Sequence, residues 1–395
     1  MLTNNEDGDG RYQSPFTILL SDPDISTAEL EAVESVLKSP RLSAGPLTEA
    51  FEGAFAQYVG RRYAVAVGSA TVGLAIALKA SGIGPGDEVI AASFSFRDTA
   101  HGIALAGATP VFADIDYWSG TLAPDKVEAR IGPRTRAIVV GNTNGHPAPW
   151  QHFRELACKH GLMLIEDSTE AIGSLYQGKP VGSFGDCALF SFSQPGPLVC
   201  GDAGILVTDD LDLTSRLRGH RARRLDERRS VVLGAIVPFQ TPLSDLNAAL
   251  GLVQFQRIDA ILARRKEVEA CYSRYMQSFE GIKPPYVAPE IDLVHWFLYV
   301  VHLGTRFSRS SRDAILQDLA TERVEAVAYC CPLHRQHCYS GTEYRKSDIF
   351  VTEKLADRAI ALPFHGHLTE DQVGFIVKTA KDASINVGAG AAIYL

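Results

Sequence analysis

CALFSFSQPGPLVCGDAGILV, residues Cys187 to Val207, is the stretch on which the reading of this chain turns. Cys187–Phe192 is a short apolar run of strand composition. Ser193-Gln194-Pro195-Gly196-Pro197 is a turn made from proline and glycine, and Ile205–Val207 resumes β-branched character. The stretch therefore reads strand, turn, strand. It contains no lysine, so the turn presents no amine.

Toward the N-terminus the pattern becomes a regular alternation. Strands are predicted at Tyr63–Val67, Glu88–Ala92, Thr109–Ala113, Arg136–Val140 and Leu162–Glu166. Helices are predicted at Thr71–Ser81, Asp98–Ala106, Asp125–Ile131 and Trp150–His160. Strands alternating with helices predict βαβ units and a mostly parallel sheet covered on both faces. Ligands of such sheets lie beyond the carboxyl ends of the strands. Further upstream, Ser26-Thr27-Ala28-Glu29 is a capping box that opens a helix to about Lys38. Phe51, Phe55 and Tyr58 recur at helical spacing within Leu47–Tyr58.

Downstream, Ser244–Phe279 reads as one long helix. Its apolar stripe is Leu246, Leu250, Val253, Ile258, Ile261 and Leu262, with Arg264-Arg265-Lys266 and Glu267 facing outward. A strand around Phe297–Leu303, a helix from about Ser311 to Leu319 and a final helix from about Thr369 to Ala383 follow. The expected organisation is a polar, disordered 1–14, a large domain over 15–265 and a smaller C-terminal α/β domain over 266–395.

The totals bound the function. The chain has 395 residues, 46% hydrophobic and 21% charged, which suits a large soluble core. A net charge of −8 argues against nonspecific nucleic-acid binding. The basic cluster Arg221-Ala222-Arg223-Arg224 with Arg228-Arg229 reads either as a solvated loop or as a clamp for an anionic substrate. No apolar run reaches membrane-span length, and the first residues have neither a basic start nor an apolar core, so neither a membrane span nor a secretory leader is expected. Seven scattered cysteines fit a reduced, cytoplasmic setting. Cys330, Cys331, His334, His337 and Cys338 lie close in sequence, but their spacing matches no standard zinc module, and no metal is assigned.

Six landmarks in order carry a resemblance that spans about Asp24 to Lys381: GIGPGDEVI (82–90), AGATPVFADID (106–116), LIEDSTEAIGS (164–174), FGDCALFSF (184–192), PLSDLNAALGLVQFQRID (242–259) and CPLHRQ (331–336). Together they resemble the DegT/StrS family of sugar aminotransferases that use pyridoxal phosphate (PLP). The resemblance implies an α/β PLP-transferase of fold type I, usually a homodimer with the cofactor near the subunit interface. It also implies action on keto sugars attached to nucleotides. By the same resemblance Asp167 pairs with the cofactor's pyridine nitrogen and Phe96 stacks on its ring. Ala70, Thr71 and Ser191 hold its phosphate, and Glu170 lies near the ring and phenolic oxygen. His334 falls in a substrate-side PLHxQ motif. His295, His365 and His367 are structural or substrate-side.

The departures matter equally. The family's lysine, which carries the cofactor as a Schiff base, falls on Gly196. Its phosphate-site Gly-Thr pair reads Ala70-Thr71. An asparagine that reaches the partner subunit's phosphate is Gln240, an arginine beside it is Pro242, and a common histidine is Asn142. Dehydratase relatives replace the lysine with histidine, which is also missing here. Three readings follow. The first is an enzyme holding PLP or pyridoxamine phosphate (PMP) noncovalently, with Glu170 or His334 moving the proton. The second is an inactive homologue paired with a lysine-bearing one, and the third is PLP-independent chemistry in the same cleft.

Overall fold

The computed structural model describes residues 14–222, 236–277, 281–339 and 346–392. The disorder expected for 1–14 and the arginines at 223, 224, 228 and 229 fall outside these residues, apart from Ser14. Arg221, which is described, donates to Glu52 at 2.5 Å and to the Ala66 carbonyl at 3.0 Å, so it is held within the fold.

The elements run α1 (Thr27–Leu37), α2 (Pro46–Val59), β1 (Tyr63–Val67), α3 (Ala70–Ala80), β2 (Glu88–Ala92), α4 (Arg97–Leu105), β3 (Thr109–Ala113), α5 (Pro124–Glu128), β4 (Thr135–Gly141), α6 (Trp150–His160), β5 (Met163–Asp167), β6 (Leu175–Tyr176), β7 (Lys179–Pro180), β8 (Cys187–Ser191) and β9 (Gly204–Thr208). There follow α7 (Leu211–Arg221), α8 (Asp245–Gln256), α9 (Ile258–Met276), β10 (Ile282–Lys283), β11 (Ile291–Leu293), β12 (Tyr299–Leu303), α10 (Arg309–Thr321), β13 (Val327–Ala328), α11 (Phe350–Ala356), β14 (Ala359–Leu362) and α12 (Glu370–Ala392). The predicted capping box is present at Ser26 and Glu29.

Seven strands form the main sheet in the order β1-β9-β8-β5-β4-β2-β3. β9 runs against both of its neighbours, and the remaining pairs are parallel. Strand periodicity sends alternate residues to opposite faces. Val89 and Ala91 pack with Leu74, Ile103 and Leu217, whereas Ile90 and Ala92 pack with Trp150, Phe153 and Leu156. Both faces are thereby buried, which explains why these strands read as unbroken apolar runs. A four-stranded antiparallel sheet, β10-β12-β14-β13, packs with α9, α10 and α12, and β11-β6-β7 forms a third, small sheet.

Two expectations for the long helix are corrected. It is broken at Arg257, whose φ of −103° and ψ of 5° separate α8 from α9. Arg257 there binds Asp24 at 2.5 Å and also Glu29. Arg265 does not face outward but is buried, donating to the carbonyls of Phe364 (2.9 Å), Trp296 (2.9 Å) and Phe297 (2.7 Å). Among the described residues no helix is long and apolar enough to cross a membrane.

Candidate active site

The carboxyl ends of β5 and β8 and the N-termini of α3 and α4 bring most of the expected site residues together. Asp167 is the last residue of β5 and is buried. Its Oδ2 accepts from Thr99 Oγ1 at 2.9 Å, and its Oδ1 accepts from Thr169 Oγ1 at 2.7 Å and Thr169 N at 3.2 Å. Burial raises its pKa, and the bonds from Thr169 and Thr99 oppose that rise. An acid oriented from both sides in this way is pre-set for one strong hydrogen bond to a cationic ring nitrogen.

Glu170 follows in the turn after β5. Its carboxylate accepts from the Tyr329 hydroxyl at 2.7 Å and from the Asn144 backbone N–H. Burial, with Asp167's charge adding to it, pushes its pKa up to about 8 against those two hydrogen bonds. Tyr329 meets Phe96 edge-on, with ring centroids 5.9 Å apart, and Phe96 meets Phe297 edge-on at 5.8 Å. Phe297 borders Gly196: a Cβ built there would lie 3.6 Å from Phe297 Cε2. Glu170, Tyr329, Phe96, Phe297 and Gly196 thus form one continuous wall.

Gly196 sits in the connection between β8 and β9, which pair antiparallel from Cys187↔Thr208 to Ser191↔Gly204. Helix α8 anchors this loop. Gln254 both donates to the Val199 carbonyl at 2.8 Å and accepts from Val199 N at 2.9 Å, and Asn247 donates to the Cys200 carbonyl at 2.7 Å. Ser191, at the end of β8, accepts from Ser193 N at 3.4 Å.

The expected phosphate end is built around α3. Ala70 is its first residue, and Ser69 before it makes no side-chain cap, which leaves the helix end open to an anion. Thr71 Oγ1 donates to Asp98 Oδ1 at 2.7 Å. Gln240 is exposed and left-handed, with φ of 52°; the next residue, Thr241, accepts from Gly68 N at 2.9 Å, which places Gln240 beside the turn into α3.

His334 lies apart from this wall. Its side chain is fully enclosed, with Nδ1 2.6 Å from Ser93 Oγ and Nε2 3.5 Å from Glu353. His334 N also donates to the same Ser93 oxygen, at 3.2 Å. Burial lowers its pKa. Asn142 is a core residue, bridging Glu166 (2.9 Å), Ser168 (2.8 Å) and Trp150 (2.9 Å). His295 and His365 are held well below the ordinary histidine range by burial, both at about 4. Among the described residues no group of three or more His, Cys, Asp or Glu is arranged to hold a metal.

Sequence reasoning missed Thr99, Thr169, Tyr329 and Asp98. Thr99 and Thr169 could have been found, since each lies near a named residue in sequence. Tyr329 is 159 positions from Glu170 and carries no local signal.

The ring end of this site fits PLP or PMP, with an oriented acid in Asp167 and an aromatic edge in Phe96. The open end of α3, through the backbone N–H groups of Ala70 and Thr71, provides a place for the phosphate. Gly196, the position that the resemblance gives to the family's lysine, has no side chain to offer.

A model of the DegT/DnrJ/EryC1/StrS aminotransferase family matches residues 23–381. The chain is 34% identical over 372 residues to the spore coat polysaccharide biosynthesis protein SpsC of Bacillus subtilis, covering 91% of this chain and 95% of that protein. It is 35% identical over 336 residues to GDP-perosamine synthase of Caulobacter vibrioides, covering 85% and 89%. Among solved structures it resembles DesI in the presence of its TDP-sugar product, with a TM-score of 0.87, 30% identity and 96% coverage of both chains.

Proposed function

This chain belongs to the DegT/DnrJ/EryC1/StrS aminotransferase family, and from that premise we propose that it is a biosynthetic enzyme that holds PLP or PMP noncovalently and acts on a nucleotide-linked keto sugar. The carrying observation is Glu170, a carboxyl group pushed up to about 8 beside Asp167 and across the wall from Gly196. Where the family keeps a lysine to move the substrate proton, this chain offers an acid that is protonated near neutral pH and able to give or take that proton.

When bound, the cofactor supplies an electron sink and, as PMP, an amine. Asp167 would hold the ring nitrogen protonated and Phe96 would lie against the ring, while Ser191 and the backbone N–H groups of Ala70 and Thr71 at the open end of α3 would hold the phosphate. Gln240 takes the position at which the family reaches the partner subunit's phosphate. Glu170 carries the proton on the carboxyl oxygen that Tyr329 and Asn144 leave open. His334 holds Ser93 and the strand end that leads to Phe96, so it acts as a positioning residue. The reaction class is amination of the keto sugar or loss of water from it. The proposal includes a dimer, homomeric or with a lysine-bearing homologue, and a domain division at 265/266.

The test is product formation from a nucleotide keto sugar with stoichiometric PMP. An amino or dehydrated sugar should appear, and Glu170→Gln should slow it at least about a hundredfold. No product with a panel of such sugars would overturn the proposal. A second reading, an inactive partner subunit, is favoured by the absent lysine and by the Thr71 hydroxyl being committed to Asp98.

A further inference from the structure

We infer that Asp98, by holding the Thr71 hydroxyl and setting a negative charge beside the N-termini of α3 and α4, makes this site discriminate against a phosphorylated ligand. The inference rests on the functional reading above, in that it takes α3 to be the phosphate end of the cofactor site.

Two helices present open N-termini here. Neither Ser69 before α3 nor Phe96 before α4 provides a side-chain cap. The helices run in close contact, since a Cβ on Gly102 of α4 would meet Leu74 of α3 at 2.8 Å. Unsatisfied N–H groups and the positive ends of two helices favour a negative charge at such a place. Asp98, in the first turn of α4, supplies one from within the chain.

Its Oδ1 takes the only proton of the Thr71 hydroxyl, at 2.7 Å. A hydroxyl has one proton to donate, so this bond removes Thr71 as a donor to a phosphate. Asp98 also acts on the rest of the site, because its charge contributes to the raised pKa of Asp167, whose partner Thr99 is the next residue. An incoming phosphate dianion must then displace the carboxylate from Thr71 and accept its repulsion. A ligand lacking the phosphate meets neither obstacle.

Titration calorimetry of PMP and of unphosphorylated pyridoxamine separates these effects. The proteins are wild type, Asp98→Asn, which preserves volume, and Asp98→Ala, each checked by thermal melting. PMP affinity should rise roughly tenfold or more in both variants, as expected for removing one negative charge close to a phosphate in a partly solvated site. Pyridoxamine affinity should stay within about twofold. Tighter PMP binding in the variants supports the inference even if wild type binds none, a result that would instead count against PMP use by the native chain. Wild-type PMP binding that the variants leave unchanged overturns the inference and leaves the functional reading standing. Equal tightening of both ligands overturns it too, as does absence of PMP binding in all three folded proteins.

Discussion

Gly196 lies against the ring of Phe297, where an added Cβ would make an ordinary contact with the ring and a close one with the Ser193 carbonyl oxygen. A Cβ there would be 3.6 Å from Phe297 Cε2 and 3.3 Å from the Ser193 carbonyl oxygen, and Gly196 is not among the glycines with left-handed φ. The backbone therefore does not require glycine at this position. Gly196→Lys should fold and, loaded with PLP and reduced with borohydride, should carry a pyridoxyl adduct on residue 196 by peptide mass mapping. Wild type should carry none there. A folded variant with no adduct would mean that the loop does not face the cofactor.

Glu170 gives the site a pH signature. Its folded pKa, about 8, lies above the ordinary value of 4.5. Its contribution to stability is therefore fully present below about 4.5 and is lost as pH rises through 8. Glu170→Gln should come close to wild type in stability near pH 4.5 and exceed it above pH 8, by about 5 kcal/mol at most, the worth of a shift from 4.5 to about 8. Chemical denaturation at both pH values checks this. An advantage that is the same at both would show that ionisation of Glu170 is not its source.

Arg265 is a buried cation whose hydrogen bonds run to three carbonyls, two of them in the Trp296–Phe297 wall segment. Its guanidinium also lies over the Phe364 ring, 4.5 Å from the centroid. Replacing it with methionine keeps bulk but leaves those acceptors without their donor. Arg265→Met should cost about 3–5 kcal/mol in unfolding free energy, and Arg265→Lys should recover less than half of that. A loss below about 1 kcal/mol would contradict this role.

The parts of the fold legible in the sequence were those governed by local pattern. β1, β2 and β3 each begin two or three residues after a glycine, Gly60, Gly86 and Gly107, and the α1 capping box announces itself within four residues. The break at Arg257 was hidden because neither glycine nor proline marks it; its ion pairs reach back to Asp24 and Glu29. Arg265 stood in a charged triplet that reads as a solvated face, while the carbonyls that bind it come from 31 to 99 positions away. In the site, Asp167 could be placed from its strand end, whereas Phe96 and Glu170 rested on the resemblance to the family. The enclosure of His334 by Ser93 and Glu353, and the grip of Asp98 on Thr71, depend on tertiary neighbours that no local spacing encodes.

The central claim is noncovalent use of an aminated cofactor held by Asp167, and titration calorimetry of PMP and PLP on wild type and Asp167→Ala tests it most directly. PMP carries its own amine and needs no lysine, so it should bind more tightly than PLP. Asp167→Ala should weaken PMP roughly ten- to a hundredfold, the worth of a charge-assisted hydrogen bond of about 1.5–3 kcal/mol. Failure of both cofactors to bind wild type, with Asp167→Ala altering only thermal stability, would contradict the account and leave the chain as the inactive partner of a lysine-bearing subunit.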